Sequence, residues 1–234
     1  MMVSAVEPRF LESTLERITE ILVQEYDTPD LGNLPDPLDE LVFIITTFKT
    51  NDSNFRRVFA SLRQKFPTWR DLMCAPLEKV KSVLKPAGLS NQKAPRLIEI
   101  LKRINKEHGS LSLDFLHHLP DQEVENYLRS FDGVGKKGAR CIMMYSLDRQ
   151  AFPVDTHTLR IFKRLGLLDW TVKPKPAQDI IQDMVPMPLR MHLHVNLVVH
   201  GRTTCLARNP KCDQCCIAKD CNAYINGEFR RSDR

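Results

Sequence analysis

Phe131-Asp132-Gly133-Val134-Gly135-Lys136-Lys137-Gly138-Ala139 is the stretch on which the reading of this chain turns. The spacing predicts a helix over 121–130 before it and a second over 136–147 after it. The glycines at 133 and 135 let the backbone turn sharply and come close to a ligand. Amides that open the second helix point outward with the positive end of the helix dipole, which suits a phosphate. Gly133, Val134, Gly135 and Lys136 therefore form a candidate phosphate-holding hairpin. Lys137 feels the same positive potential, which favours its neutral amine, and a neutral amine is a nucleophile. The same spacing also fits a tight helix–helix turn with no ligand, because short glycine motifs are frequent.

Working outward, Asp155 follows Lys137 by eighteen positions, in Pro153-Val154-Asp155-Thr156-His157. It sits where a helix over 156–165 needs its N-cap, and Asp is a favoured cap. Capping alone explains it. A capping carboxylate could also take a proton from Lys137 or balance a cationic sugar. His157 is given a packing role on the helix face.

The periodicity is helical almost throughout. Val58, Phe59, Leu62 and Phe66 share one face, and Leu97, Ile98, Leu101 and Ile104 repeat the pattern. No Asn-Gly hairpin and no sustained alternation predicts strands. The expected fold class is all-α. Pro67, Pro76, Pro86, Pro95 and Pro120 read as breaks between short helices or as first-turn positions. A helix over 188–200 should end at Gly201.

Composition sets the bounds. The chain has 234 residues, 42% of them hydrophobic, with a formal net charge of +5. That suffices for one large or two modest cores and mildly favours a polyanionic partner. No apolar run spans a bilayer, and the first ten residues lack an apolar signal core, so a cytoplasmic location is expected. Of seven cysteines, Cys205, Cys212, Cys215 and Cys221 crowd into one short segment. That spacing points to a metal, and both zinc and [4Fe–4S] accept four thiolates. Cys216 reads as a small filler beside them or as a substitute for Cys215, and Cys74 and Cys141 as core residues. Arg202, Arg208 and Lys211 flank the cluster and offer cations to phosphate.

Taken together, Gly133-Val134-Gly135-Lys136-Lys137-x-Ala139 and Val154-Asp155-Thr156-His157 resemble the helix-hairpin-helix DNA glycosylases of the endonuclease III group. Gly88-Leu89-x-Asn91-x-Lys93-Ala94 and His200-Gly201-Arg202 extend the likeness over most of the chain. The resemblance implies two helical domains with a cleft between them. Residues 35–150 would form a helical-barrel domain that carries the hairpin at 121–147. Residues 1–34 and 151–234 would form the iron–sulfur domain. It further implies a monomer that binds damaged double-stranded DNA and rotates a nucleotide out of the duplex. Lys137 would then attack the sugar C1′, with Asp155 as acid–base and electrostatic partner, and β-elimination would cut the strand. The spacing of the four cysteines is that of the family's [4Fe–4S] cluster. The expected activity is a bifunctional glycosylase and abasic-site lyase, most simply for an oxidised pyrimidine. Mispaired or alkylated bases, a lyase acting mainly on abasic sites, and an idle Fe–S protein that binds DNA structure are the alternatives.

Three positions bear on how the chain would meet DNA. Lys49 stands where the family places a gap-filling Gln, and lysine cannot both donate to and accept from an orphaned base. The second gap-filling position falls on Leu89, an apolar wedge of the kind that unstacks DNA, or a core leucine after a turn. Asp132 replaces a proline before the hairpin. It adds negative charge there and removes stiffness, which predicts a weaker grip on phosphate.

Overall fold

The structure, a computed structural model, describes residues 8–47 and 52–229, and these are helical with no strand among them. The chain divides into two compact units, Met1–Gly32 with Gln150–Arg234, and Asn33–Arg149. No described helix is long and apolar enough to cross a membrane.

The central unit, Asn33–Arg149, contains α2 (Pro37–Thr47), α3 (Asp52–Lys65), α4 (Trp69–Cys74), α5 (Leu77–Leu84), α6 (Ser90–His108), α7 (Asp121–Arg129) and α8 (Lys136–Tyr145). Helix α2 begins on an Asp–Pro pair. The Asp36 carboxylate accepts the Asp39 N–H at 2.8 Å, and Pro37 occupies the first turn, where no donor is needed. The helix is apolar on most sides: Leu38, Leu41, Val42 and Ile45 are all buried. It can therefore sit centrally, packed on α3, α6 and α8. Val58 and Leu62 of α3 and Phe66 just after it are buried, as are Leu97, Ile98, Leu101 and Ile104 of α6, as the periodicity requires. Each such fully buried side chain contributes about 1.5–3 kcal/mol.

The terminal unit contains α1 (Pro8–Tyr26), α9 (Thr156–Leu165), α10 (Pro174–Met184), α11 (Arg190–Thr203) and the short α12 (Asn222–Ile225). Leu15, Ile18 and Leu22 of α1 meet Ile161, Phe162 and Leu165 of α9 and Leu193 and Leu197 of α11 in one apolar core.

Three local expectations change. Pro95 lies inside α6, which runs through it. Gly201 does not end α11, which continues to Thr203. Its role is close approach: a Cβ there would stand 2.5 Å from the His157 Cβ on α9. Cys74 falls in the last turn of α4 and is exposed, whereas Cys141 is buried. Helix α4 buries Trp69 and Leu72, three residues apart, and Cys74 falls off that face.

Candidate active site

The hairpin joins α7 to α8. The Val134 N–H donates to the Phe131 carbonyl at 3.1 Å and closes the turn, and Val134 itself is buried. Gly133 has φ +83°, a left-handed conformation that favours glycine. A Cβ there would also strike the Arg96 guanidinium at 2.6 Å. Gly135 differs: its φ of −89° is open to any residue, and the space where its Cβ would point is empty to 4 Å. Its value is an uncrowded approach to the first amides of α8.

Lys136 and Lys137 are the first two residues of α8, and Lys137 is exposed. Gly138 follows, with Ile44 of α2 only 3.4 Å from where its Cβ would lie, so α2 lies close under the start of α8. The two hairpin helices are fastened by a buried ion pair. Arg140 Nε of α8 donates to Glu125 Oε2 of α7 at 3.0 Å, and Arg129 reaches the other oxygen at 3.3 Å. Aromatic packing supports the turn from behind, where Phe131 meets Tyr127 edge-on and the Arg103 guanidinium lies 4.8 Å from the Phe131 ring.

Glu40, fully buried in α2, went unnoticed in the sequence. Its oxygens accept from Asn33 Nδ2 at 2.6 Å and from the Leu34 N–H at 2.8 Å. Burial pushes its carboxyl up to about 7, opposed by those two donors and by the nearby charge of Lys137. The Leu34 carbonyl accepts from Ser146 Oγ at 2.7 Å, so the segment is pinned on both sides.

Asp155 caps α9, as expected. Its Oδ1 accepts the Thr158 N–H at 2.7 Å. It belongs to the terminal unit and Lys137 to the central one. Leu89 is the N-cap residue of α6, is 41% exposed, and has φ +54°. It is therefore no core leucine. Lys49 lies outside the described residues. Arg202 is exposed in the last turn of α11, and Arg208 and Lys211 are exposed on the loop that follows.

Cys205, Cys212, Cys215 and Cys221 line one pocket, with Ile161, Leu165 and Ile217 among its walls. Among the described residues no three His, Cys, Asp or Glu side chains form the site of a single metal ion. Burial pushes Cys215 up to about 12 and raises Cys212 and Cys221, and neighbouring thiols add to each shift. Two arginines of α9, four residues apart and so on one face, organise the loop. Arg160 Nη2 donates to the Gly201 and Cys205 carbonyls at 2.9 and 2.7 Å. Arg164 Nη1 donates to Cys205 Sγ at 3.1 Å and to the Leu206 carbonyl at 2.8 Å. Their spacing was visible in the sequence, but their partners were not.

A glycine turn between two helices, an amine at a helix start and a four-cysteine loop occur together here, and comparison with known proteins shows the class they belong to. Residues 42–187 match the HhH-GPD superfamily base excision DNA repair protein family, so the chain belongs to that family. An Arabidopsis thaliana protein named as a candidate DNA glycosylase is 36% identical over 165 residues, which cover 70% of this chain and 56% of that protein. Endonuclease III of Thermotoga maritima is 29% identical over 85% of this chain and 91% of its own length. The Arabidopsis DNA glycosylase/AP lyase ROS1 is 28% identical, but the match covers only 13% of that longer protein. The chain thus spans about half, or much less, of several curated relatives. Among solved structures, a non-covalent endonuclease III–DNA complex superposes with a TM-score of 0.80 at 20% identity, over 93% of this chain and 98% of that one. A thermostable thymine-DNA glycosylase gives 0.77 over 92% and 98%. The chain has the endonuclease III fold.

Proposed function

We propose that this chain is a DNA glycosylase with abasic-site lyase activity that acts in base excision repair, most simply on an oxidised pyrimidine. The observation that carries this reading is Lys137. It sits in the second position of the helix that opens behind the Gly133–Gly135 turn, inside the segment that matches the family.

In this reading the hairpin amides and Lys136 hold a backbone phosphate, which positions DNA without reading its sequence. The neutral Nζ of Lys137 attacks C1′. The glycosidic C1′–N bond breaks and the base leaves with the electron pair, taking up a proton. Asp155 accepts the proton released by the amine and balances positive charge at the sugar. Ring opening gives an iminium between Nζ and C1′. That iminium acidifies C2′–H, loss of this proton expels the 3′ phosphate oxygen, and water then releases the lysine. Leu89 enters the stack as an apolar wedge.

The cysteine loop would hold a [4Fe–4S] cluster through Cys205, Cys212, Cys215 and Cys221. The residues fit. Four thiols share one pocket, and an arginine N–H already reaches Cys205 Sγ. A single zinc needs its sulfurs roughly 3.8 Å apart, from Zn–S bonds of about 2.3 Å. A [4Fe–4S] core takes the same four thiolates, and the spacing of these cysteines along the chain is the feature that favours it here. When bound, such a core locks the loop that carries Arg208 and Lys211 and so presents cations to DNA; no redox step is required of it.

The test is base release. Duplexes carrying thymine glycol, an alkylated purine or a mismatch would be incubated with the protein and analysed for free base and for strand scission. Release of thymine glycol with scission supports the full reading. Release of a different base moves the specificity, and scission of abasic duplexes alone leaves only the lyase.

A further inference from the structure

Lys93 is 1% exposed, a rare state for a lysine. Its Nζ donates to the Thr46 carbonyl at 2.8 Å and to the Ala87 carbonyl at 3.0 Å. The first acceptor lies in the last turn of α2, the second one residue before the Gly88–Leu89 turn. The Lys93 main-chain N–H also donates to the Leu89 carbonyl, at 2.9 Å.

Leu89 needs such support. A left-handed backbone is strained for a leucine, and it persists only where the surroundings over-determine it. Here the strain keeps an apolar side chain 41% exposed at the start of α6. Burial draws Lys93 down to about 8, so holding it there costs stability as well. Both costs converge on one turn.

We propose that Lys93 is the positioning residue that fixes Leu89 as a preformed wedge, by tying the Ala87–Leu89 turn to the end of α2. This rests on the wedge reading of Leu89 given above. The chain would meet DNA with the wedge already set, so that its ordering cost does not fall on the binding step. Lys93 touches no reacting atom.

The test uses the full chain and two DNA probes. The first is a duplex with a non-cleavable abasic analogue opposite 2-aminopurine, whose fluorescence rises when it unstacks. The second is a pair of abasic oligonucleotides, one duplex and one single-stranded, scored for cleavage. At saturating protein, Leu89→Ala and Lys93→Met should each lose more than half of the fluorescence rise. Lys93→Met should lose at least fivefold more cleavage on the duplex than on the single strand, which needs no wedge. A full rise in Lys93→Met beside a lost rise in Leu89→Ala overturns the proposal. So does an equal loss on both oligonucleotides, which is what general structural damage produces. If Lys93→Met gives no cooperative melt, Lys93→Arg decides by the same readouts and should be intermediate. A wild-type protein that unstacks 2-aminopurine without cleaving either oligonucleotide would remove the enzymatic reading and leave the wedge arm to decide Lys93.

Discussion

Arg96 reaches Asp132 with two nitrogens, Nε and Nη2, each 2.8 Å from the same carboxylate oxygen. From sequence, Asp132 stood as an uncompensated negative charge in place of a stiff proline. Instead, Arg96 of α6 neutralises it and lies against Gly133, so the pair stands where the proline's stiffness was lost. Removing the arginine should hurt twice, by freeing the turn and by baring a carboxylate beside the phosphate site. Arg96→Ala should weaken binding to an abasic duplex by about 1 kcal/mol, roughly fivefold in Kd. Arg96→Ala with Asp132→Asn should recover part of that loss, measured by fluorescence anisotropy at fixed salt.

The Glu125–Arg140 pair lies deeper, with side chains 12% and 6% exposed. Truncating its acid removes the charged partner of a buried guanidinium between the two hairpin helices. Glu125→Ala should therefore lower unfolding free energy by about 3 kcal/mol in urea titration. A loss under 1 kcal/mol would mean that the arginine finds water or another acceptor.

Glu40 makes stability depend on pH in an identifiable direction. Its folded carboxyl titrates near 7 against an ordinary value of 4.5. Between those values the folded chain binds more protons than the unfolded one, so stability falls as pH rises through that window. The shift bounds the effect at about 3 kcal/mol. Glu40→Gln should flatten the fall between pH 5 and 8, seen as a smaller change in urea midpoint.

What the sequence made legible was local. Asp155 capping α9, the turn at Gly133 and the cysteine spacing each depend on neighbours a few residues away. Arg96 and Lys93 act through Asp132 and the Thr46 carbonyl, 36 and 47 residues away. Spacing carries no record of such distant pairs. Lys93 did leave a trace: it lies four residues before Leu97 and eight before Leu101, on the buried stripe of α6. A lysine on an apolar stripe needs acceptors, and that alone marks it. Gly201 was misread because glycine ends helices and also lets them touch; only the proximity of His157 distinguishes the two.

The cysteine loop gives a prediction readable by colour. Protein purified without air should be brown and carry about four irons per chain. Cys215→Ser should lose the colour and Cys216→Ser should keep it, because Cys216 stands outside the four-cysteine pocket. A colourless protein holding one zinc would refute the cluster.

The most direct measurement is borohydride trapping on an abasic duplex, followed by peptide mapping of the adduct. The account predicts a covalent protein–DNA band, a reduced sugar adduct on Lys137, and no band from Lys137→Ala. A band that survives in Lys137→Ala, an adduct on another amine, or binding without any band would contradict it.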